Sequence, residues 1–192
     1  MNGNYNDHIK NVSIYGLEKS MRTSGYPMVT NTSDAIPSDK RCSKLSNVPI
    51  GSGHDNFLKG IIVQWDWKVS KQLMPQLERY RFLDIVSSQS TMHRLKTGEF
   101  TYNEYTSSEA IELLKREIDN YNSSPTHENF LRMIYSAPCG LELTMGMSTN
   151  YLQLKTIYTQ RRNHRLNEWQ EFCKFIETLP HSDWITGEGE NA

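Results

Sequence analysis

A strict alternation of apolar and polar residues over residues 60–70 constrains the fold of this chain more than any other feature of its sequence. In the stretch GIIVQWDWKVS, every second side chain is apolar and β-branched or aromatic. These side chains share one face: Ile61, Val63, Trp65, Trp67 and Val69. A period of two with such residues is typical of a half-buried strand. The sequence therefore predicts a strand at Gly60–Ser70.

Helical spacing follows this strand directly. Leu73, Leu77 and Tyr80 share one stripe, which predicts a helix from Ser70 to Phe82. The next residues, Ser87–His93, are polar and predict a turn.

The second half of the chain carries further helix signals. Thr106 and Glu109 form a capping box that opens a helix through Tyr121, and Thr126 opens a shorter one. A second strand is predicted at Gly140–Met147. After it, residues 148–150 offer a cap for a helical run over Tyr151–Leu179, which Asn163 and His164 interrupt.

The chain has 192 residues, enough for a single domain with a core. Residues 1–53 are rich in Asn, Ser, Gly and Asp, and we expect one short strand at Asn11–Leu17 and a long loop over Thr30–Gly53. Residues 54–180 form the predicted core, and residues 181–192 a frayed tail.

Composition excludes several classes of function. The formal net charge is -1, so the chain has no overall basic field for nucleic acid. The three cysteines are scattered and the six histidines show no ligand spacing, which disfavours a zinc site or another catalytic metal. An odd cysteine count fits a reducing compartment, and the sequence shows no long apolar run. We therefore expect a cytoplasmic protein without a membrane span.

Two arginines flank one residue at the predicted helix end. Arg79 and Arg81 can both reach one phosphate-sized anion, and arginine binds phosphate through two hydrogen bonds. The alternative is a solvated helix face on which Glu78 is the local ion partner.

Two further polar clusters are candidate sites. The hydroxyls and the amide of Ser87–Ser90 suit a base, a sugar or a phosphate. Ser90 and His93 superficially suggest a nucleophile and its base, but no orienting residue or GxSxG motif accompanies them, which disfavours a hydrolase. The stretch Gln160–Glu168 contains three arginines and a histidine. It fits a phosphate site, a subunit contact or a charged helix face.

The order of these clusters resembles the flavin-dependent thymidylate synthase family over roughly residues 50–180. That family carries a histidine before a strand, a glutamine before an Arg-His-Arg triplet, and a motif serine. Later come an asparagine that opens the last helix and an arginine before a His-Ala-Gln-x-Glu-Ile stretch. The matching positions in this chain are His54, Gln76, Arg79, Arg81, Ser90, Asn150 and Arg161.

Departures from the family pattern indicate a diverged member. Tyr80 replaces the middle histidine of the triplet, and Met92 and His93 replace the arginine and tyrosine after the motif serine. Leu152 replaces the arginine that follows the helix-opening asparagine. Because the missing arginines hold dUMP in the family, the resemblance favours the fold and an FAD site over thymidylate synthesis.

The resemblance implies an α+β fold, with an antiparallel sheet packed with helices. It implies FAD held by His54, Arg79 and Arg81. It further implies a pyrimidine deoxynucleotide near Ser90, the serine of the catalytic site. The substrate-binding set would be Gln76, Gln89, Ser90, Arg161 and Arg165. An active synthase would also use NADPH and methylenetetrahydrofolate. Its sites would be shared between subunits of a homotetramer, in which an exposed Trp65 or Trp67 face would be buried.

Two other functions remain open. The first is a catalytically silent homologue that keeps the fold to bind a nucleotide or a protein; small phage genomes often carry such diverged copies. The second is a nucleic-acid binder that uses the arginines of residues 160–165. Near-neutral charge and the lack of interleaved aromatic residues disfavour this second function.

Overall fold

The computed structural model describes residues 7–49 and 51–187. Within these ranges, one sheet contains five strands in the order β1-β2-β5-β3, and β4 pairs with β5. The strands are β1 (Ile9–Tyr15), β2 (Ile62–Ser70), β3 (Asp84–Ser88), β4 (Thr101–Tyr102) and β5 (Leu141–Asn150). The β4–β5 pair is antiparallel, with Thr101 opposite Glu142 and Tyr102 opposite Leu141.

The described ranges also contain nine α-helices. They are α1 (Leu17–Thr23), α2 (Asp39–Ser46), α3 (Met74–Leu77), α4 (Thr91–Thr97), α5 (Ser108–Ser123), α6 (His127–Tyr135), α7 (Tyr151–Arg161), α8 (Asn167–Glu177) and α9 (Asp183–Thr186). None of them is long and apolar enough to cross a membrane. The mixture of helices with an antiparallel sheet confirms the predicted α+β class.

The chain divides into two compact units. The first contains the described residues of 1–65, 81–84 and 148–192. The second contains residues 66–80 and 85–147. Strands β2 and β5 contribute residues to both units.

The core of the first unit forms around the inward face of β2. The Trp65 indole stacks on Phe172 at 5.5 Å between ring centroids and lies 6.2 Å from Phe175, both in α8. Burial of a large aromatic side chain contributes about 1.5–3 kcal/mol. The strand prediction is confirmed. The expected exposed tryptophan face is wrong, because Trp65 and Trp67 are each only 2% exposed.

The second unit has its own apolar cluster, in which helices α4, α5 and α6 cover the start of β5. Its buried members are Leu95, Leu114, Ile118, Met133 and Leu141. At the edge of this cluster, the Lys96 ammonium lies 5.1 Å from the Phe130 ring and 5.7 Å from the Tyr121 ring. Such cation–π contacts let a charged side chain cover an apolar surface.

The long helices begin close to the predicted positions. Thr126 accepts a hydrogen bond from the Asn129 amide and caps α6 as predicted. Ser107, one residue after the predicted Thr106, caps α5 through the Ala110 amide. The predicted break near Asn163 is confirmed, because α7 ends at Arg161 and α8 begins at Asn167.

Two predictions around residues 70–93 are wrong in extent. Helix α3 covers only Met74–Leu77, because the Tyr80 amide bonds to the Leu77 carbonyl in a tighter turn and the chain then enters β3. The region Ser87–His93 is not simply a turn. It contains the end of β3 and the first turn of α4.

Helices also occur in stretches that lacked a helical pattern. Ser38 caps α2 inside the region expected to be a long loop. At the predicted frayed tail, α9 buries Trp184 and Ile185. Residues 188–192 of that tail lie outside the described residues.

Candidate functional site

A cleft of about 650 Å³ lies in the first unit. Three stretches of the chain line it: the turn before β2, residue Phe82, and the first turns of α7. The lining residues are Gly51, Gly53, Asp55, Asn56, Lys59, Phe82, Asn150, Leu152, Gln153 and Thr156. Small-molecule sites typically enclose about 300–1,000 Å³, so this cleft has the size of a ligand site.

An aromatic ring stands exposed in the cleft. The Thr149 hydroxyl, itself buried, donates to the Phe82 carbonyl at 2.6 Å and fixes the backbone there. The Phe82 side chain nevertheless remains 58% exposed. An exposed ring in a concave site is suited to stacking against a planar ligand.

The start of α7 supplies polar groups to the same cleft. The Asn150 side-chain oxygen accepts from the Gln153 amide at 2.9 Å and caps the helix, which leaves the Asn150 amide nitrogen able to donate to a ligand. The Thr156 hydroxyl donates to the Leu152 carbonyl at 3.3 Å, so its oxygen can accept. Hydrogen-bond donors and acceptors therefore lie beside the exposed ring.

The charges in and beside the cleft leave a positive excess. Asp55 is buried and paired with Lys155 at 2.9 Å, so these two charges offset each other. Lys59 lines the cleft and makes no ion pair with another described residue. The Arg81 guanidinium lies 5.8 Å from the Phe82 ring centroid. The cleft therefore suits an anionic ligand with an aromatic part.

A second cavity of about 430 Å³ occurs in the same unit, and His54 lines it. It shares Gly53 and Asn56 with the cleft. Arg41 also lines this cavity, but its guanidinium already donates to the Ser24 hydroxyl and to the carbonyls of Met21 and Ile36. These bonds give Arg41 a structural role.

Four of the predicted cofactor and substrate residues are divided between the two units. Arg81 and His54 belong to the first unit, whereas Gln76 and Arg79 belong to the second. The side chains of His54, Arg79 and Arg81 are exposed. Tyr80, between the two arginines, is buried.

Gln89 and Ser90 in the second unit have structural hydrogen bonds. Gln89 exchanges two bonds with Thr144: its amide donates to the Thr144 carbonyl at 2.9 Å, and its side-chain oxygen accepts from the Thr144 amide at 3.0 Å. Ser90 caps α4 by accepting a 3.5 Å bond from the His93 backbone amide. The Ser90 contact to His93 thus uses the backbone and not the imidazole ring.

The basic stretch between α7 and α8 packs partly onto an aromatic residue. The Arg161 guanidinium lies 4.8 Å from the ring of Trp169, which is fully buried. Arg165 is exposed in the connection. The His164 ring nitrogen Nδ1 accepts from the Leu166 amide at 3.1 Å. Desolvation, and secondly the charge of Arg161, lower the pKa of His164 from its ordinary value.

Two buried cysteines have unreactive thiols. Burial raises the pKa of Cys173 to about 12 and also raises the pKa of Cys42. A thiol with a raised pKa forms little thiolate at neutral pH and is a weak nucleophile.

Several lining residues, and the ion-pair partner of one of them, were not singled out from the sequence: Asp55, Lys59, Phe82 and Thr156 line the cleft, and Lys155 pairs with Asp55. One of them left a signal. Lys155 interrupts the apolar side of α7, where Leu154 and Ile157 are buried. A charged residue on such a face indicates a buried partner. The other residues of the set come together only through the fold.

The fold can be compared with solved structures. Thymidylate synthase X from Helicobacter pylori, solved with FAD and dUMP, matches with a TM-score of 0.71 and 18% sequence identity, over 92% of this chain and 96% of that chain. The chain has the fold of flavin-dependent thymidylate synthase. A second H. pylori structure of this enzyme, also complexed with FAD and dUMP, gives a TM-score of 0.68 and 19% identity over 92% and 97% of the two chains. No protein-family model and no curated protein sequence gives a significant match.

Proposed function

We propose that this chain binds FAD in the cleft of the first unit and acts on a pyrimidine deoxynucleotide, as a diverged flavin-dependent thymidylate synthase. One observation carries the proposal: the exposed Phe82 ring lies beside cations that no described carboxylate neutralises. A flavin nucleotide combines a planar ring system with phosphates. The two H. pylori structures of the same fold were solved with FAD and dUMP.

The residues present fit a flavin nucleotide. Phe82 would stack on a planar ring, Asn150 and Thr156 would offer hydrogen bonds, and Lys59 and Arg81 would attract phosphate. His54 and Arg79 remain proposed cofactor ligands. When bound, the flavin supplies the redox chemistry. The protein binds and orients it and limits the access of water.

The nucleotide would use the residues that the resemblance implies: Gln76, Gln89, Ser90, Arg161 and Arg165. Gln89 and Ser90 already accept hydrogen bonds from backbone amides, and each keeps a side-chain donor for a nucleotide oxygen. Ser90 would thus contact the substrate as a donor. NADPH, methylenetetrahydrofolate and a homotetramer complete the proposal.

A catalytically silent homologue is the second candidate. Leu152 lines the cleft at the position where the family carries an arginine, so one positive charge is missing there. This replacement favours a site that has lost catalysis but still binds a ligand or a partner.

The absorbance spectrum of the purified protein, with and without added FAD and then dUMP, tests the proposal. Flavin bands that shift on addition of dUMP are expected of a working synthase. Bound flavin with no response to dUMP would indicate another nucleotide. If the protein binds no flavin even when FAD is added in excess, the flavoenzyme proposal is wrong and the silent homologue is favoured.

A further inference from the structure

Lys155 is a buried lysine of helix α7. Only 7% of its surface is exposed, and its neighbours Leu154 and Ile157 are fully buried. Its ammonium nitrogen donates to the Ser46 carbonyl at 2.6 Å, to the Val48 carbonyl at 3.0 Å and to the Asp55 carboxylate at 2.9 Å. An ammonium group has three donors, so these contacts satisfy it completely.

These contacts connect α7 to a distant part of the chain. Asp55 lies 100 residues before Lys155, and Ser46 lies 109 residues before it. Packing alone does not require such a pair, because apolar residues of similar volume often fill a buried site at least as stably. Two of the three directional bonds end on backbone carbonyls and one on the Asp55 carboxylate, so together they fix the positions of these groups, which apolar contacts do not.

One of the three groups that Lys155 holds, the Asp55 carboxylate, belongs to a turn that forms a wall of the cleft. Gly51, Gly53, Asp55 and Asn56 all line it, and the next residue of the helix, Thr156, lines it as well. Gly51 and Gly53 adopt positive φ angles of 90° and 81°. Because glycine restricts the backbone least, a turn with two glycines depends on contacts from outside to keep one shape.

We propose that Lys155 is a positioning residue of the flavin site: its ammonium holds the turn at residues 51–56 in the conformation that forms the cleft wall. This inference rests on the proposed function. The three bonds of Lys155 act as a clamp that preorganises the cleft. Removing this clamp should therefore weaken flavin binding, although Lys155 itself does not contact the flavin.

The test compares the full-length protein with Lys155→Met, which keeps most of the length of the side chain and removes the ammonium. Met133→Ala is the matched control, since it removes a buried side chain of the second unit and lowers stability there. Kd for FAD is measured by flavin fluorescence at a temperature at which each variant is folded. We expect Lys155→Met to raise Kd roughly tenfold or more, and Met133→Ala to leave it unchanged. Lys155→Arg, which keeps the charge, should restore part of the affinity.

An unchanged Kd in folded Lys155→Met overturns the inference, as does an equal loss in Met133→Ala. If Lys155→Met does not fold, Asp55→Asn is tested by amide hydrogen exchange at Leu58 and not by Kd, because Asp55 itself lines the cleft; faster exchange supports the inference and unchanged exchange overturns it. If the wild type binds no FAD, the proposed function is wrong. Amide hydrogen exchange then tests the clamp alone: the Leu58 amide, which bonds to the Asp55 carbonyl, should exchange faster in Lys155→Met. Unchanged exchange there would refute it.

Discussion

Lys59 and Lys155 carry the same charge in opposite environments. Lys155 is buried with three acceptors, so its charge serves the protein's own backbone and Asp55. Lys59 is exposed at the cleft and forms no ion pair with another described residue. Lys59 is therefore the cleft cation most available to a ligand.

Lys59→Gln should weaken binding of phosphorylated flavins selectively. A partly solvated ion pair contributes about 1 kcal/mol, which corresponds to roughly a fivefold rise in Kd. We expect this rise for FMN and FAD but not for riboflavin, which has no phosphate. Fluorescence titration of the three flavins measures it. Lys44→Gln, at an exposed position of α2, is the control. An equal effect on riboflavin would exclude a phosphate contact.

The protonation of the His164 ring depends on its surroundings in the folded chain. Desolvation and the charge of Arg161 lower its pKa, so the folded state holds this ring neutral below the ordinary value of about 6.5. The unfolded chain then binds more protons, so the contribution of His164 to stability is present above about pH 6.5 and is lost as the pH falls below it. An NMR titration of the His164 ring measures the midpoint.

Arg161→Gln provides the matching variant. This variant removes the positive charge, which is the second cause of the lowered His164 pKa, and leaves desolvation. The midpoint of the His164 titration should therefore rise part of the way to the ordinary value. A midpoint in the wild type at or above 6.5 would contradict the structure.

The local sequence pattern predicted the helices and strands that bury one regular face. The alternation of β2 and the apolar stripe of α5 are local signals, and both elements form close to the predicted bounds. Strand β3 was missed because most of its residues are exposed and it joins the sheet beside β5. Just after β3, Gln89 continues the pairing with β5 by bonding to Thr144, which lies 55 residues further along the chain. No local sequence pattern reveals such a contact.

Helix α7 has an N-cap that also belongs to the cleft. Asn150→Ala should cost about 1 kcal/mol of unfolding free energy through loss of the cap, and Thr126→Ala on α6 should cost a similar amount. Only the change at Asn150 should weaken FAD binding, since Thr126 lies in the other unit. Urea denaturation and flavin titration of both variants measure the two effects.

Asn150→Asp separates the two roles of this residue. Aspartate keeps the capping oxygen but loses the amide donor and adds a negative charge to the cleft. We expect nearly wild-type stability with weaker FAD binding. Wild-type affinity in this variant would show that Asn150 serves only the helix.

At the scale of the whole molecule, the sequence predicted the fold better than the site. The order of His54, Gln76 and the two arginines was sufficient to suggest the fold of the resembled family, and the comparison with solved structures agrees with that fold. The cleft was not predicted, because it assembles residues 51–59, Phe82 and the start of α7. The ion pair between Asp55, which lines the cleft, and Lys155 joins positions 100 residues apart. Such contacts are set by tertiary packing and leave no periodic signal.

We expect the protein to assemble into a homotetramer. Several large apolar side chains remain exposed in the isolated chain, including Met28 at 77% and Tyr135 at 82%. A homotetramer would offer such surfaces a partner. Light scattering of the purified protein should then give four times 22.3 kDa, or about 89 kDa for a closed symmetric assembly. Added FAD should co-elute with that species. A monomer of 22.3 kDa that still binds FAD would contradict the tetramer and place the whole flavin site within one chain.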